Sequence, residues 1–65
     1  MKKPNLVIAK QLFKKRNPKV KFTATWKRKP VLTSGGWVSS VRFEANGYIP
    51  VVRRLYSDNE GIALF

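Results

Sequence analysis

The sequence predicts an α+β domain: an N-terminal helix packed on a three- or four-stranded antiparallel β-meander. Three observations carry this. Residues 5–16 space their apolar side chains as a helix does, and the chain beyond residue 19 alternates apolar and polar with period two. The alternation is broken by Asn46-Gly47 and by Ser57-Asp58-Asn59-Glu60-Gly61, both of which are turn signals. With 65 residues the chain makes one domain, 1–65, and buries only roughly 60% of the surface its unfolded form exposes.

Taken in order, Asn5 is placed to cap the helix. Ile8, Ala9, Leu12 and Phe13 then form one apolar stripe. Lys14, Lys15 and Arg16 follow in the last turn, at the negative end of the helix dipole, and Asn17-Pro18 ends the element. Residues 20–27 read as a strand with Val20, Phe22, Ala24 and Trp26 on one face and Lys21, Thr23, Thr25 and Lys27 on the other. The run Lys27-Arg28-Lys29-Pro30 opens a basic loop, 27–36, in which Gly35 and Gly36 allow close approach of a phosphate backbone.

Strands over 37–45 and 48–56 follow, with a short fourth over 62–65. A two-residue Asn46-Gly47 turn fixes their register, pairing Ala45 with Tyr48, Phe43 with Pro50, Val41 with Val52, Ser39 with Arg54 and Trp37 with Tyr56. Pro50 has no N–H for a ladder, so its strand is expected at an edge, or with the Pro50 nitrogen pointing away from its partner. The register gathers Trp37, Val41, Phe43, Tyr48, Val52 and Tyr56 on one face. Val38, Ser40, Arg42, Ile49, Val51, Arg53 and Leu55 fall on the other.

A sheet has two faces, and this chain has one helix to cover them. The aromatic face is the expected core, since large aromatics are mostly buried. The face left open then carries Lys21, Thr23, Thr25, Lys27, Arg42 and Arg53. Cations of that kind neutralise phosphates, and the hydroxyls bond to phosphate oxygens.

Charge points the same way. The net charge is +11, and residues 1–29 hold eleven of the fourteen Lys and Arg residues with no acid. Beyond them Arg42, Arg53 and Arg54 balance Glu44, Asp58 and Glu60. An excess so concentrated suits a polyanionic partner. The expected function is therefore non-enzymatic binding of nucleic acid, duplex DNA ahead of RNA. The expected contacts are Lys21, Thr23, Thr25, Arg42 and Arg53 on the sheet, Lys27, Arg28 and Lys29 in the loop, and Lys14, Lys15 and Arg16 at the helix end.

Two other readings stay open. The opposite choice of covered face exposes Phe22, Trp26, Trp37, Phe43, Tyr48 and Tyr56 beside Arg54 as a stacking platform for single-stranded DNA or RNA. A protein-docking module would instead seat the strip Val38, Ile49, Val51 and Leu55 on an acidic surface of a larger nucleic-acid machine such as a polymerase, nuclease or ribosomal assembly. The third strand or residues 62–65 also offer an edge for a homodimer.

Catalysis is not expected, because the chain has neither His nor Cys and its acids form no pair outside one turn. Asp58 and Glu60 read as turn residues. No metal or cofactor is expected, since the usual ligands are missing. The apolar run 6–9 is too short for a signal-peptide core and falls far below the ~20 residues of a membrane span, so the expectation is a cytoplasmic protein with no membrane partner.

Overall fold

The chain order is one helix and four strands: α1 (Leu6–Arg16), β1 (Thr23–Thr33), β2 (Gly36–Glu44), β3 (Val51–Asp58) and β4 (Gly61–Leu64). The structure is a computed structural model and describes residues 2–65; Met1 lies outside the described residues. The strands form one antiparallel sheet in meander order β1-β2-β3-β4, as the sequence predicts.

The helix begins where its cap places it. Asn5 keeps an extended backbone (φ −138°, ψ 170°), and its Oδ1 accepts a hydrogen bond from the Ile8 N–H at 2.9 Å. That satisfies one of the orphan donors of the first turn. Asn5→Ala is expected to cost about 1 kcal/mol, read as a lower denaturant midpoint at unchanged slope. At the other end Asn17 donates its backbone N–H to the Phe13 and Lys14 carbonyls.

The helix packs Leu6, Ala9, Leu12 and Phe13 against Ala24, Trp26, Val41, Phe43, Leu55, Ile62 and Leu64. Leu6 joins the predicted stripe, while Ile8 stays half-buried outside the core cluster. The centre is aromatic. Phe13 stacks on Phe43 with ring centroids 4.0 Å apart, and Phe22 meets both rings edge-on. A short N-terminal arm precedes the helix. The Ser57 hydroxyl donates to the Lys2 carbonyl, Lys3 Nζ lies 5.7 Å from the Trp37 ring centroid, and Pro4 is buried.

Two expectations fail, and both matter for the open face. First, β1 does not stop at residue 27. It continues through Lys27, Arg28, Lys29 and Pro30 to Thr33, so the expected basic loop 27–36 is mostly strand, closed by a turn at Ser34 and Gly35. Register shifts lie between Trp26 and Arg28 and between Arg28 and Val31. These absorb two extra residues on β1, and the second contains Pro30, where a missing donor costs the ladder nothing. Because β1 is an edge strand, only one of its sides has to keep the ladder.

Second, β3 is shifted by one residue. Phe43 pairs with Val51, Val41 with Arg53, Ser39 with Leu55 and Trp37 with Ser57. The Tyr48 N–H does bond to the Ala45 carbonyl at 3.2 Å, but Asn46 keeps a negative φ while Gly47 takes φ 81°. A two-residue hairpin of the Asn-Gly kind needs positive φ at both. The connection therefore runs over residues 45–50 and leaves Pro50 outside the ladder, so β3 is not held to an edge and pairs with both β2 and β4.

A one-residue slip reverses every side chain of a strand. In the predicted register Arg54 would face Ser39, which is fully buried, and an unpaired guanidinium there costs several kcal/mol. In the observed register Leu55 takes that place, and the Ser39 hydroxyl donates to its carbonyl at 2.9 Å. Leu55 and Ser57 thus join the core, whereas Tyr48, Val52 and Tyr56, expected inside, do not.

Candidate nucleic-acid interface

Residues that pair across an antiparallel ladder share a face, so the register assigns the side of the sheet that the helix does not cover. One row across that open face is Arg28 on β1, Ser40 on β2 and Arg54 on β3. The next row is Thr25, Arg42 and Val52, and beyond it Thr23 faces Glu44. On the other side of the arginine row lie Val31, Val38, Tyr56 and Ala63. The Phe65 N–H donates to the Arg54 carbonyl at 2.8 Å, and its ring meets Tyr56 edge-on at 5.3 Å.

Three adjacent strands therefore each bring one guanidinium to this face. Arg28 and Arg54 stand two strand spacings apart, about 10 Å between backbones. Arg42 lies between them on β2, one row away, with its Nε 2.8 Å from Glu44 Oε1. Among the described residues no other Lys or Arg comes within salt-bridge distance of a carboxylate. Asp58, at the far end of β3, uses its Oδ1 to accept the Glu60 N–H at 2.8 Å, which is the turn role expected of it.

The expected contact residues divide among three places. Thr23, Thr25 and Arg42 lie on the open face as anticipated, and Arg28 reaches it from a strand instead of a loop. Lys27 and Lys29 are exposed on the same free edge, at the two irregularities. Arg53 is displaced by the register shift: it pairs with Val41 on the helix side, and its Nη1 donates to the Val52 carbonyl at 3.2 Å. Arg54 takes the place on the open face that Arg53 was expected to hold. The clue was available in the sequence, since the predicted register set a proline in the ladder and Arg54 against the core.

The helix-end cations do not act as one group. Arg16 Nη2 donates to the Leu64 carbonyl at 3.0 Å and ties α1 to β4. Lys14, with Lys10, Gln11 and Lys21, lines a shallow cleft between α1 and the segment leading into β1. Lys15 is exposed. Lys21 lies just ahead of β1 and also lines a second cleft with Thr23 and Glu44, at the margin of the open sheet face.

The glycines of the expected loop have different settings. A side chain at Gly35 would meet nothing within 4 Å, whereas Gly36 packs directly against the β3 backbone. The apolar strip suggested for protein docking is dispersed as well. Leu55 is fully buried and Val51 half-buried on the helix side, while Ile49 sits in the 45–50 connection at 88% exposure. No described helix is long and apolar enough to cross a membrane. A scan against protein-family models and searches of curated proteins and of solved structures each find no match.

Proposed function

We propose that the protein is a non-enzymatic nucleic-acid-binding domain that seats duplex DNA on its open sheet face and on the free edge of β1. One observation carries this reading: the helix-free face bears Arg28, Arg42 and Arg54 from three adjacent strands, and among the described residues only Arg42 of the three has a carboxylate partner. Arg28 and Arg54, spaced about 10 Å apart, match the walls of a major groove about 12 Å wide. Thr23, Thr25 and Ser40 supply hydroxyl donors for phosphate oxygens beside them. Lys27 and Lys29 extend the positive field along the edge strand, and the net charge of +11 draws the duplex in from a distance.

The test is a salt titration of binding, by fluorescence anisotropy, to duplex DNA, single-stranded DNA and duplex RNA. Duplex DNA is expected to bind most tightly, with an affinity that falls linearly on a log–log plot against salt. Arg28→Ala with Arg54→Ala is expected to flatten that slope by ~0.9 for each phosphate left without its cation. Absence of salt-sensitive binding to all three probes overturns the proposal.

A second reading has its own observation. The register brings Tyr56 onto the open face beside Phe65, which is 63% exposed, next to Arg54. A base from a single strand stacked there contributes ~1–3 kcal/mol. In the same titration this reading expects single strands to bind most tightly and Phe65→Ala to weaken them alone.

A further inference from the structure

The three guanidiniums of the open face are not equivalent. Arg28 lies on the edge strand and Arg54 on β3, and neither has a carboxylate within ion-pair distance among the described residues. Arg42 is the only cation of β2, the middle strand at this level of the sheet, and one of the chain's three acids stands two residues further along the same strand. Residues i and i+2 of a strand point to the same side, so Glu44 meets Arg42 on the open face, and it does so through Nε at 2.8 Å.

An acid on a phosphate-binding face repels its ligand. Its position against Arg42 has a physical use. The pair holds the guanidinium plane through Nε and directs its binding to the Nη end, limiting the rotamers Arg42 would otherwise lose on binding. Both side chains remain about half exposed, 44% for Arg42 and 51% for Glu44, so the guanidinium is held yet reachable. A planar fork fixed in this way suits two aligned acceptors better than a single phosphate oxygen. In the major groove guanine offers such a pair, O6 and N7.

We infer that Arg42, held by Glu44, reads a guanine in the major groove, while Arg28 and Arg54 grip the phosphate walls on either side. This rests on the duplex reading and adds to it a base preference with one positioning residue. With Arg28 and Arg54 on the flanking strands and Arg42 between them, the middle strand lies over the groove floor. Thr25 and Val52, the partners of Arg42 across the ladder, are small enough to let that strand approach.

The experiment is selection from a duplex library with a randomised core, followed by competition titrations of the selected duplex against variants with single base pairs replaced. Wild type is expected to enrich a guanine at a fixed position and to discriminate against its replacement by on the order of tenfold or more. Arg42→Lys removes the fork and keeps the charge, so discrimination is expected to vanish at that position while the salt slope holds. Glu44→Gln is expected to tighten binding to unselected duplex, because a repulsive charge is gone, and to reduce the guanine preference. Arg28→Ala with Arg54→Ala is expected to flatten the slope and leave the preference in place. Salt-sensitive duplex binding without base preference, or a preference that survives Arg42→Lys in a folded variant, overturns this inference and leaves the binding function standing. Absence of salt-sensitive duplex binding removes the function on which it rests.

Discussion

Gly36→Ala is expected to unfold the domain or bring it close to unfolding. A Cβ at position 36 would collide with the Ser57 carbonyl oxygen and stand 3.2 Å from Cα and Cβ of Asp58. The nearest of these is backbone of the adjacent strand, so relief requires β3 to move, not a side chain to rotate. Gly36 also has φ 121°, where an L side chain is strained by ~1–3 kcal/mol before any collision is counted. Movement of β3 at this point strains the Trp37–Ser57 pairing and the Ser57 bond to the N-terminal arm. A total loss of about 3 kcal/mol or more corresponds to a fall of roughly 10–25 °C in Tm for a domain of this size. Gly35→Ala is the control, since nothing lies within 4 Å of its Cβ. If the two variants melt within a few degrees of each other, the close approach of β2 and β3 is misplaced.

Leu55→Asp should abolish the fold at neutral pH. Leu55 is fully buried at the centre of the sheet, beside Ser39 and Leu64. Removing the leucine forfeits about 1.5–3 kcal/mol of transfer free energy, and a carboxylate without a partner adds several more. That sum rivals the whole stability of a small domain. Ile49→Asp, at 88% exposure, should leave the circular dichroism spectrum and melting temperature nearly unchanged. The pair of variants also tests the register. Were β3 slipped by one residue, Leu55 would face outward and both substitutions would be tolerated alike.

These two positions separate what was legible in the sequence from what was not. The helix, its Asn5 cap and its end at Asn17 rest on interactions within a few residues, and they stand where the sequence predicts. The same holds for the alternation that sets Ala24 and Trp26 under the helix, and for the turn role of Asp58. Part of the candidate interface follows from this local pattern: Thr23, Thr25 and Arg42 reach the open face by strand parity alone. Arg28 required the irregularity between Trp26 and Arg28, and Arg54 required the true register of β3. No local residue preference marks the first, and the second is signalled only by the proline and the arginine that the tight-turn register would misplace.

By itself the sequence determined the class and order of the elements, the capping of the helix, the count of one helix against two sheet faces, and the concentration of positive charge in the first 29 residues. These follow from periodicity, turn chemistry and charge, which act over short stretches of chain. Only the tertiary structure decided how far β1 extends and which side of β3 turns inward. Asn46-Gly47 favours one hairpin locally, but the gain from a tight turn is small beside the cost of setting Arg54 against the buried Ser39 while Leu55 points to water. The strand slips by one residue, and Arg54 joins Arg28 and Arg42 on the face the helix leaves open.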